Sequence, residues 1–370
     1  MKNILVLKLG ALGNIVLSLA AFAAIRQHHP DARITLLTTA PYADWMAASP
    51  WFDRVLIDTR PAWWDLPGVL RLRRMLRGGD FDRVYDLQTS SRSSHYFRLF
   101  PRAARPEWSG IAPGCSHPDR DPDRDRIHDI DRQHGQLRQA GIADIPPADL
   151  SWCRGDIARF ALPRPFALLV PGSAPHRPVK RWPAAHYRAL AGWLIAQGIA
   201  PVVLGTAGER RLADEICAGA TNPGAGGSAH GVGTSAQSGN APAQGAGAIG
   251  HRTDMAIREV GAHDLTGQTG FGDLADLGRA AIMAIGNDTG PMHLLATAGC
   301  PSLVLFSGDS DPARCAPRAP PGAPRVRVLR RHDLATLTPA EVITEVATAM
   351  GNREDAALRA DLPASAKATA

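Results

Sequence analysis

Ala281-Ile282-Met283-Ala284-Ile285-Gly286-Asn287-Asp288-Thr289-Gly290-Pro291-Met292-His293 reads as a buried strand, a polar turn and the first turn of a helix. The apolar run to Ile285 has strand length, and Gly286 punctuates it. Asn287, Asp288 and Thr289 are cap-type residues, and Pro291 suits a first helical turn, where its missing N–H costs nothing. A helix starting here aims unpaired N–H groups and the positive end of its dipole at whatever precedes it, which favours a phosphate. Asp288 adds an acceptor and His293 a proton-carrying ring. The alternative is a plain capped helix in which Asp288 only satisfies backbone donors.

The same strand, turn and helix rhythm recurs on both sides of this stretch. Residues 3–8 are an apolar run ending near Gly10, followed by a largely apolar helix over 15–27. Further strands are expected at 33–38, 54–58 and 82–88, with a helix around 41–48. Residues 63–77 have the pattern of a basic amphipathic helix, read as the solvated face of a domain helix, with membrane contact as the alternative. Cys115 to Arg132 turns abruptly to Asp, Arg, Pro and His and is expected to be a surface loop. A second series starts at Phe166, with strands at 166–170 and 201–205, helices at 183–197 and from 207, a strand at Leu265-Thr266, a helix at 272–280 and a last strand at 302–306. Thr338-Pro339-Ala340-Glu341 is a capping box opening a helix to about residue 350. Strands alternating with helices predict an α/β chain of parallel sheets. The expected division is an N-terminal domain over 1–155, a C-terminal domain over 160–335, a helix over 338–350 and a flexible tail over 351–370. Residues 218–250 are almost devoid of large apolar side chains, and this insert is expected to be disordered.

With 370 residues, 45% of them hydrophobic, the chain can build two ordinary cores. Its net charge of +6 suits an acidic partner such as a nucleotide, a phosphorylated lipid or an anionic membrane surface. Basic residues are scattered rather than blocked with aromatics, which argues against nucleic acid. Five cysteines without ligand spacing suggest neither disulfides nor a metal site and point to a reducing compartment, so a cytoplasmic protein is expected. Lys8, Gly10, Gly13 and Asn14 interrupt the signal-peptide-like start of the chain, and no run of about 18 apolar residues occurs.

Phosphate-loop, dinucleotide, nucleophile-elbow and zinc-protease motifs are all missing. What the sequence offers is polar residues in turns after strands, the edge where open parallel sheets bind ligands. In the second half these are Ser173 and Lys180, then Gly205 and Glu209, then Thr269, then Asp288, Thr289, Gly290 and His293. Four such loops could converge on a nucleotide diphosphate, with Lys180 or the helix terminus against phosphate and Glu209 against ribose hydroxyls. Each has a plain alternative: Lys180 beside Arg181 as a solvated charge, Glu209 as a first-turn acid answering its helix dipole.

Five motifs occur in order: Lys8-Leu9-Gly10-Ala11-Leu12-Gly13-Asn14, Asp86-Leu87-Gln88, Pro171-Gly172-Ser173 with Lys180-Arg181-Trp182-Pro183, Leu204-Gly205 with Glu209, and Gly286 to His293. In these the chain resembles glycosyltransferase family 9, the ADP-heptose:lipopolysaccharide heptosyltransferases, from the first strand to about residue 310. The resemblance implies a GT-B fold, two Rossmann-like domains with parallel sheets facing a central cleft, the N-terminal one for the acceptor and the C-terminal one for the nucleotide sugar. It implies that Lys180 contacts donor phosphate or sugar, Glu209 the adenosine ribose, Thr269 the base and Asp288 the sugar hydroxyls, with Ser173 in the same donor loop and Thr289, Gly290 and His293 around the diphosphate. It also implies inverting transfer without metal or cofactor, the ADP-sugar being the donor substrate. The acceptor implied is a lipid-linked saccharide of the lipopolysaccharide core, met at the cytoplasmic face of the inner membrane through peripheral contact.

Asn14 departs from the family pattern, which usually has an aspartate there as the presumed base. A carboxamide accepts no proton at neutral pH, so Asn14 is expected to position the acceptor and Asp86 to be the substitute base, or else a structural carboxylate. A catalytically silent sugar-nucleotide-binding protein and a sugar-nucleotide epimerase are the alternatives to transfer.

Overall fold

In the computed structural model, structure is described for residues 1–174, 177–218 and 260–360. The first half runs β1 (Asn3–Leu7), α1 (Leu12–Val16), α2 (Leu19–His28), β2 (Arg33–Thr38), α3 (Ala40–Ala47), β3 (Arg54–Ile57), α4 (Leu66–Arg77), β4 (Arg83–Asp86), α5 (Ser91–Tyr96), β5 (Glu107–Gly110), β6 (His117–Pro118) and α6 (Asp129–Gln139). Its six strands lie in the order β3-β2-β1-β4-β5-β6, every neighbouring pair parallel.

The second half runs β7 (Phe166–Val170), α7 (Ala184–Ala196), β8 (Ala200–Val203), α8 (Arg210–Cys217), β9 (His263–Asp264), α9 (Phe271–Ala280), β10 (Met283–Asn287), α10 (Gly290–Thr297), β11 (Ser302–Phe306), α11 (Pro312–Cys315), β12 (Arg327–Arg330) and α12 (Pro339–Ala360). Its order is β12-β11-β10-β7-β8-β9, again all parallel. Every residue of β7, β8, β10 and β11 is buried. Helices cover both faces of such strands, so their sequences are continuous apolar runs rather than alternating ones. Each fully buried Leu or Ile contributes about 1.5–3 kcal/mol. In each sheet the chain starts at a central strand, moves outward, then crosses back. The crossing leaves a crevice between β1 and β4 in the first sheet and between β7 and β10 in the second.

Several expectations are corrected. Gly286 does not end its strand. It lies inside β10, where a Cβ would stand 2.6 Å from Val170 and 2.7 Å from the Met292 sulfur, so the sheet needs a glycine for packing. The helix over 15–27 is split into α1 and α2 at Leu17 and Ser18, where the Ser18 hydroxyl donates to the Asn14 carbonyl at 2.7 Å. The strand read at Leu265-Thr266 is β9, two residues earlier. The loop expected over Cys115–Arg132 contains β6 and the start of α6, and its Asp119 is tied to Arg124 at 3.0 Å. The capping box forms as expected, with Thr338 N and Oγ1 donating to Glu341 at 2.9 and 2.8 Å. The helix it opens runs ten residues past 350, into the Ala, Glu, Arg and Leu-rich segment read as tail, because those are helix-favouring residues. The α4 helix buries Gly68, Leu72 and Leu76 and leaves Leu66 and Leu70 exposed on its outer face. Apart from Ala218, the insert at 218–250 lies outside the described residues, as do residues 361–370.

Candidate active site

The C-terminal ends of β7, β8, β9 and β10 carry the residues singled out in the second half. Asn287, fully buried at the end of β10, is the joint of this edge. Its Nδ2 donates to the Pro171 carbonyl at 2.7 Å, and its Oδ1 accepts from Trp182 N and the Tyr187 hydroxyl, both at 3.1 Å. Trp182, buried, donates its ring N–H to the Leu337 carbonyl at 2.7 Å. This anchoring explains the Lys-x-Trp-Pro pattern: with Trp182 fixed, Lys180, two residues earlier, is delivered to Asp288.

Lys180 Nζ donates to Asp288 Oδ2 at 2.6 Å, and the Ser310 hydroxyl, in the loop after β11, donates to the same oxygen at 2.6 Å. The Lys180 and Asp288 side chains are 12% and 7% exposed, so this charge-assisted pair is mostly withdrawn from water. Asp288 thus bonds side chains rather than capping a helix. Thr289 is the N-cap of α10 but makes no side-chain bond to its first turn, and its buried Oγ1 has no partner. His293 is buried against this turn, and burial lowers its pKa to about 4 although the Asp288 charge pulls the other way. Its imidazole is therefore neutral at pH 7, and its Nδ1 has no hydrogen-bond partner.

Ser173 is buried, and its hydroxyl donates to the Arg177 carbonyl and accepts from Arg181 Nε, each at 3.1 Å. Its polar atoms shape the loop. Glu209 Oε2 accepts from Thr206 N at 2.8 Å and from Thr206 Oγ1 at 2.9 Å, the cap arrangement. The same carboxylate presses against Gly172, where a Cβ would collide with it, so Gly172 is needed for the β7 and β8 loops to meet. Thr269 lies half-buried at the rim after β9.

In the first sheet, Lys8 follows β1 and Asp86 is the last residue of β4. Lys8 is buried, and its Nζ donates to the Leu87 carbonyl at 2.9 Å. Burial, aided by the Arg132 charge, lowers its pKa to about 8. Asp86 is fully covered. Its Oδ1 accepts from the N–H groups of Thr89 and Gln88 at 3.0 and 3.1 Å, and its Oδ2 has no partner. Burial raises its pKa to about 6. This is the structural carboxylate that the sequence offered as the alternative to a base: Asp86 holds a turn from behind and is closed to an acceptor hydroxyl in this state. Asn14 is exposed, with its carboxamide 3.4 Å from the Gly10 carbonyl.

The two halves touch at these edges. A Cβ on Gly13 would lie 2.9 Å from the His293 ring, and one on Gly290 would lie 2.7 Å from Leu12 Cβ, so the first turns of α1 and α10 meet glycine to side chain. His128 Nε2 lies 2.9 Å from the Ala316 carbonyl, and its Nδ1 accepts from Ile130 N, the pattern of a neutral ring donating from Nε2. Arg318 grips Asp131 with two bonds, 2.6 and 2.8 Å.

Sequence reasoning missed Ser310 and Asp129. Ser310 is 22 residues beyond its partner Asp288, with no local pattern linking them. Asp129 opens α6, pairs with Arg132 at 2.9 Å and keeps its side chain 22% exposed, and its charge acts on both Lys8 and His293, which places it between the halves. An acid in the first turn of a helix pattern was the available signal, hidden by the charged run before it. Among the described residues, no three His, Cys, Asp or Glu side chains gather as a metal-binding group. A hollow of about 610 Å³ lined by Met283, Ser302 and Arg327 lies at the opposite, N-terminal ends of β10 to β12, away from all these groups.

Two parallel α/β sheets whose ligand-binding edges face one another define the GT-B class of transferase fold, and solved structures bear this out. A glycosyltransferase family 9 protein from Veillonella parvula matches with a TM-score of 0.71 at 18% identity, over 95% of this chain and 97% of the other. The ADP-heptose lps heptosyltransferase II of E. coli matches with a TM-score of 0.67 at 21% identity, over 96% and 100%. The E. coli heptosyltransferase WaaC with ADP gives 0.63 at 18% identity, over 94% and 99%. A comparison with curated protein sequences finds no match. The family description "Glycosyltransferase family 9 (heptosyltransferase)" matches residues 69–226 and 243–336, and the chain belongs to that family. It is a glycosyltransferase.

Proposed function

We propose that the protein transfers heptose or a related sugar from an ADP-sugar to a lipid-linked saccharide of the lipopolysaccharide core, at the cytoplasmic face of the inner membrane. The observation that carries this reading is the Lys180, Asp288 and Ser310 cluster beside the uncapped start of α10, at the crevice between β7 and β10. Lys180 and the first-turn N–H groups of α10 meet the charge that develops on the departing diphosphate, without a metal ion. Asp288, released from Lys180, takes sugar hydroxyls. His293, neutral at pH 7, lines the diphosphate with Thr289 and Gly290. Glu209 and Thr269 receive the ribose and base, and Ser173 keeps their neighbouring loop in shape.

The acceptor enters on the Asn14 side, where Asn14 orients it. Inversion needs a base for the acceptor hydroxyl. Asp129 is the better candidate than Asp86, because it stays partly open while Asp86 is sealed. Calorimetric titration of ADP tests the donor half: saturable binding is expected, weakened about 100-fold by Lys180→Ala, the scale of losing one preorganised charge, while Asp288→Ala should cost turnover of the ADP-sugar rather than ADP affinity. No binding, or binding indifferent to Lys180→Ala, would sink the reading. Loss of turnover in Asp129→Asn with ADP binding retained would support the base assignment.

A further inference from the structure

Among the described residues eight large apolar side chains are exposed, and five of them, Ile57, Trp63, Trp64, Leu66 and Leu70, fall within residues 57–70. Trp64 is 86% exposed and Leu66 67%. These side chains are not spare core. The inner face of α4 is already filled by Gly68, Leu72 and Leu76, one turn apart, while Leu66 and Leu70 are one turn apart on the outside. Asp65 caps the helix by accepting from Gly68 N at 3.0 Å, and Arg92 stacks 5.2 Å over the Trp63 ring, so the apolar tip is held rather than loose.

The charge around the tip has one sign. Residues 59–79 contain five arginines and a single acid, Asp65, which is spent on its cap, and residues 87–106 contain four arginines and no acid. Arg71, Arg73 and Arg74 are exposed on α4 itself. Arg77 donates to the Leu99 carbonyl at 2.9 Å, which brings the second basic segment against the first. Indole rings and leucines at the tip of a short helix flanked by arginines suit the boundary between lipid headgroups and acyl chains. The tip also has a fixed relation to the cleft. The loop before α4 leaves the C-terminal end of β3, and Arg60 in it donates to the Leu9 carbonyl at 2.9 Å, in the turn that leads into α1 and Asn14.

We propose that Trp63, Trp64, Leu66 and Leu70, ringed by these arginines, form a docking surface for an anionic lipid bilayer, seating the acceptor edge of the cleft at the membrane. This deepens the proposed function and rests on it only for what is drawn from the membrane. The expected result is that the full chain co-sediments with vesicles of phosphatidylglycerol and phosphatidylcholine but not with phosphatidylcholine alone, less so as salt is raised. Trp64→Ser/Leu66→Ser/Leu70→Ser should weaken this partition about tenfold or more, and Arg71→Glu/Arg74→Glu should do likewise. All substituted positions are exposed, and an unchanged circular dichroism spectrum and ADP titration would show the fold intact. No partition at low salt would overturn the proposal, as would partition indifferent to the apolar triple variant. A wild-type dimer that becomes monomeric in the triple variant, without vesicle binding in either, would assign the surface to a second copy instead. Patch-dependent vesicle binding by a protein that takes no ADP would support the docking surface and sink the donor reading alone.

Discussion

Each sheet places a lysine after its first strand and an aspartate at or just past the end of its fourth, yet the two pairs live under different physics. Lys180 and Asp288 bind each other at 2.6 Å at a partly open edge. Lys8 and Asp86 are both covered, and each spends its polar atoms on backbone: Lys8 on the Leu87 carbonyl, Asp86 on the Gln88 and Thr89 N–H groups. The open pair can exchange its partner for a ligand, since the ion pair it gives up is replaced by equivalent charge contacts. The sealed pair cannot, because a buried group left without its partner carries the full cost of desolvation. Equal placement in two related sheets therefore does not mean equal work.

The contrast breaks most sharply through substitution. Lys8→Met should leave ADP binding intact and lower unfolding stability by about 1–3 kcal/mol, since it orphans the buried Leu87 carbonyl. Chemical denaturation beside the calorimetric titration checks this, and a Lys8 variant that loses ADP as completely as Lys180→Ala would erase the distinction.

A smaller effect separates the halves by pH. Folding raises the Asp86 pKa from 3.8 to about 6, so the folded chain holds a proton the unfolded chain has released between those values. Its contribution to stability grows as pH falls through that window and is lost above about 6. Asp86→Asn removes this slope, so stability of the variant relative to the parent should be higher at pH 7 than at pH 4. His293 has the opposite sign. Its pKa falls from 6.5 to about 4 on folding, so its burial costs stability as pH drops through that range. Parallel unfolding curves for Asp86→Asn and His293→Gln across pH 4–7 should diverge from the parent in opposite directions. The smallest effect is expected for Arg318→Ala. Its pair with Asp131 is 42% and 50% exposed, and the loss in thermal unfolding should stay within about 1 kcal/mol.

What the sequence made legible follows from how each element is stabilised. Strands such as Phe166–Val170 and Ser302–Phe306 are buried on both faces and announce themselves as apolar runs. The edge strands His117–Pro118 and Arg327–Arg330, and Glu107–Gly110 next to the first of them, are short and carry polar or charged residues, so no apolar run marks them. At the site, residue type and position after a strand were enough to bring Lys180, Glu209, Thr269, Asp288 and His293 to one edge. Depth was not legible. Nothing in Asp86-Leu87-Gln88 says that the carboxylate lies behind the turn, because its cover comes from distant residues, Gly110 and Gln136 among them.

The helix α6 joins the two halves in a way that constrains any motion between them. Its middle is bolted to the first sheet, with Gln133 donating to the Leu17 carbonyl at 3.4 Å and Gln136 to the Asp86 carbonyl at 3.0 Å. Its leading turn is latched to the second through His128 and Asp131. A rigid rod held at both stations works as a tie-bar: the cleft cannot widen along this side until the His128 and Asp131 latches release, and any pull on them is delivered through about two turns of helix to the strand end that carries Asp86.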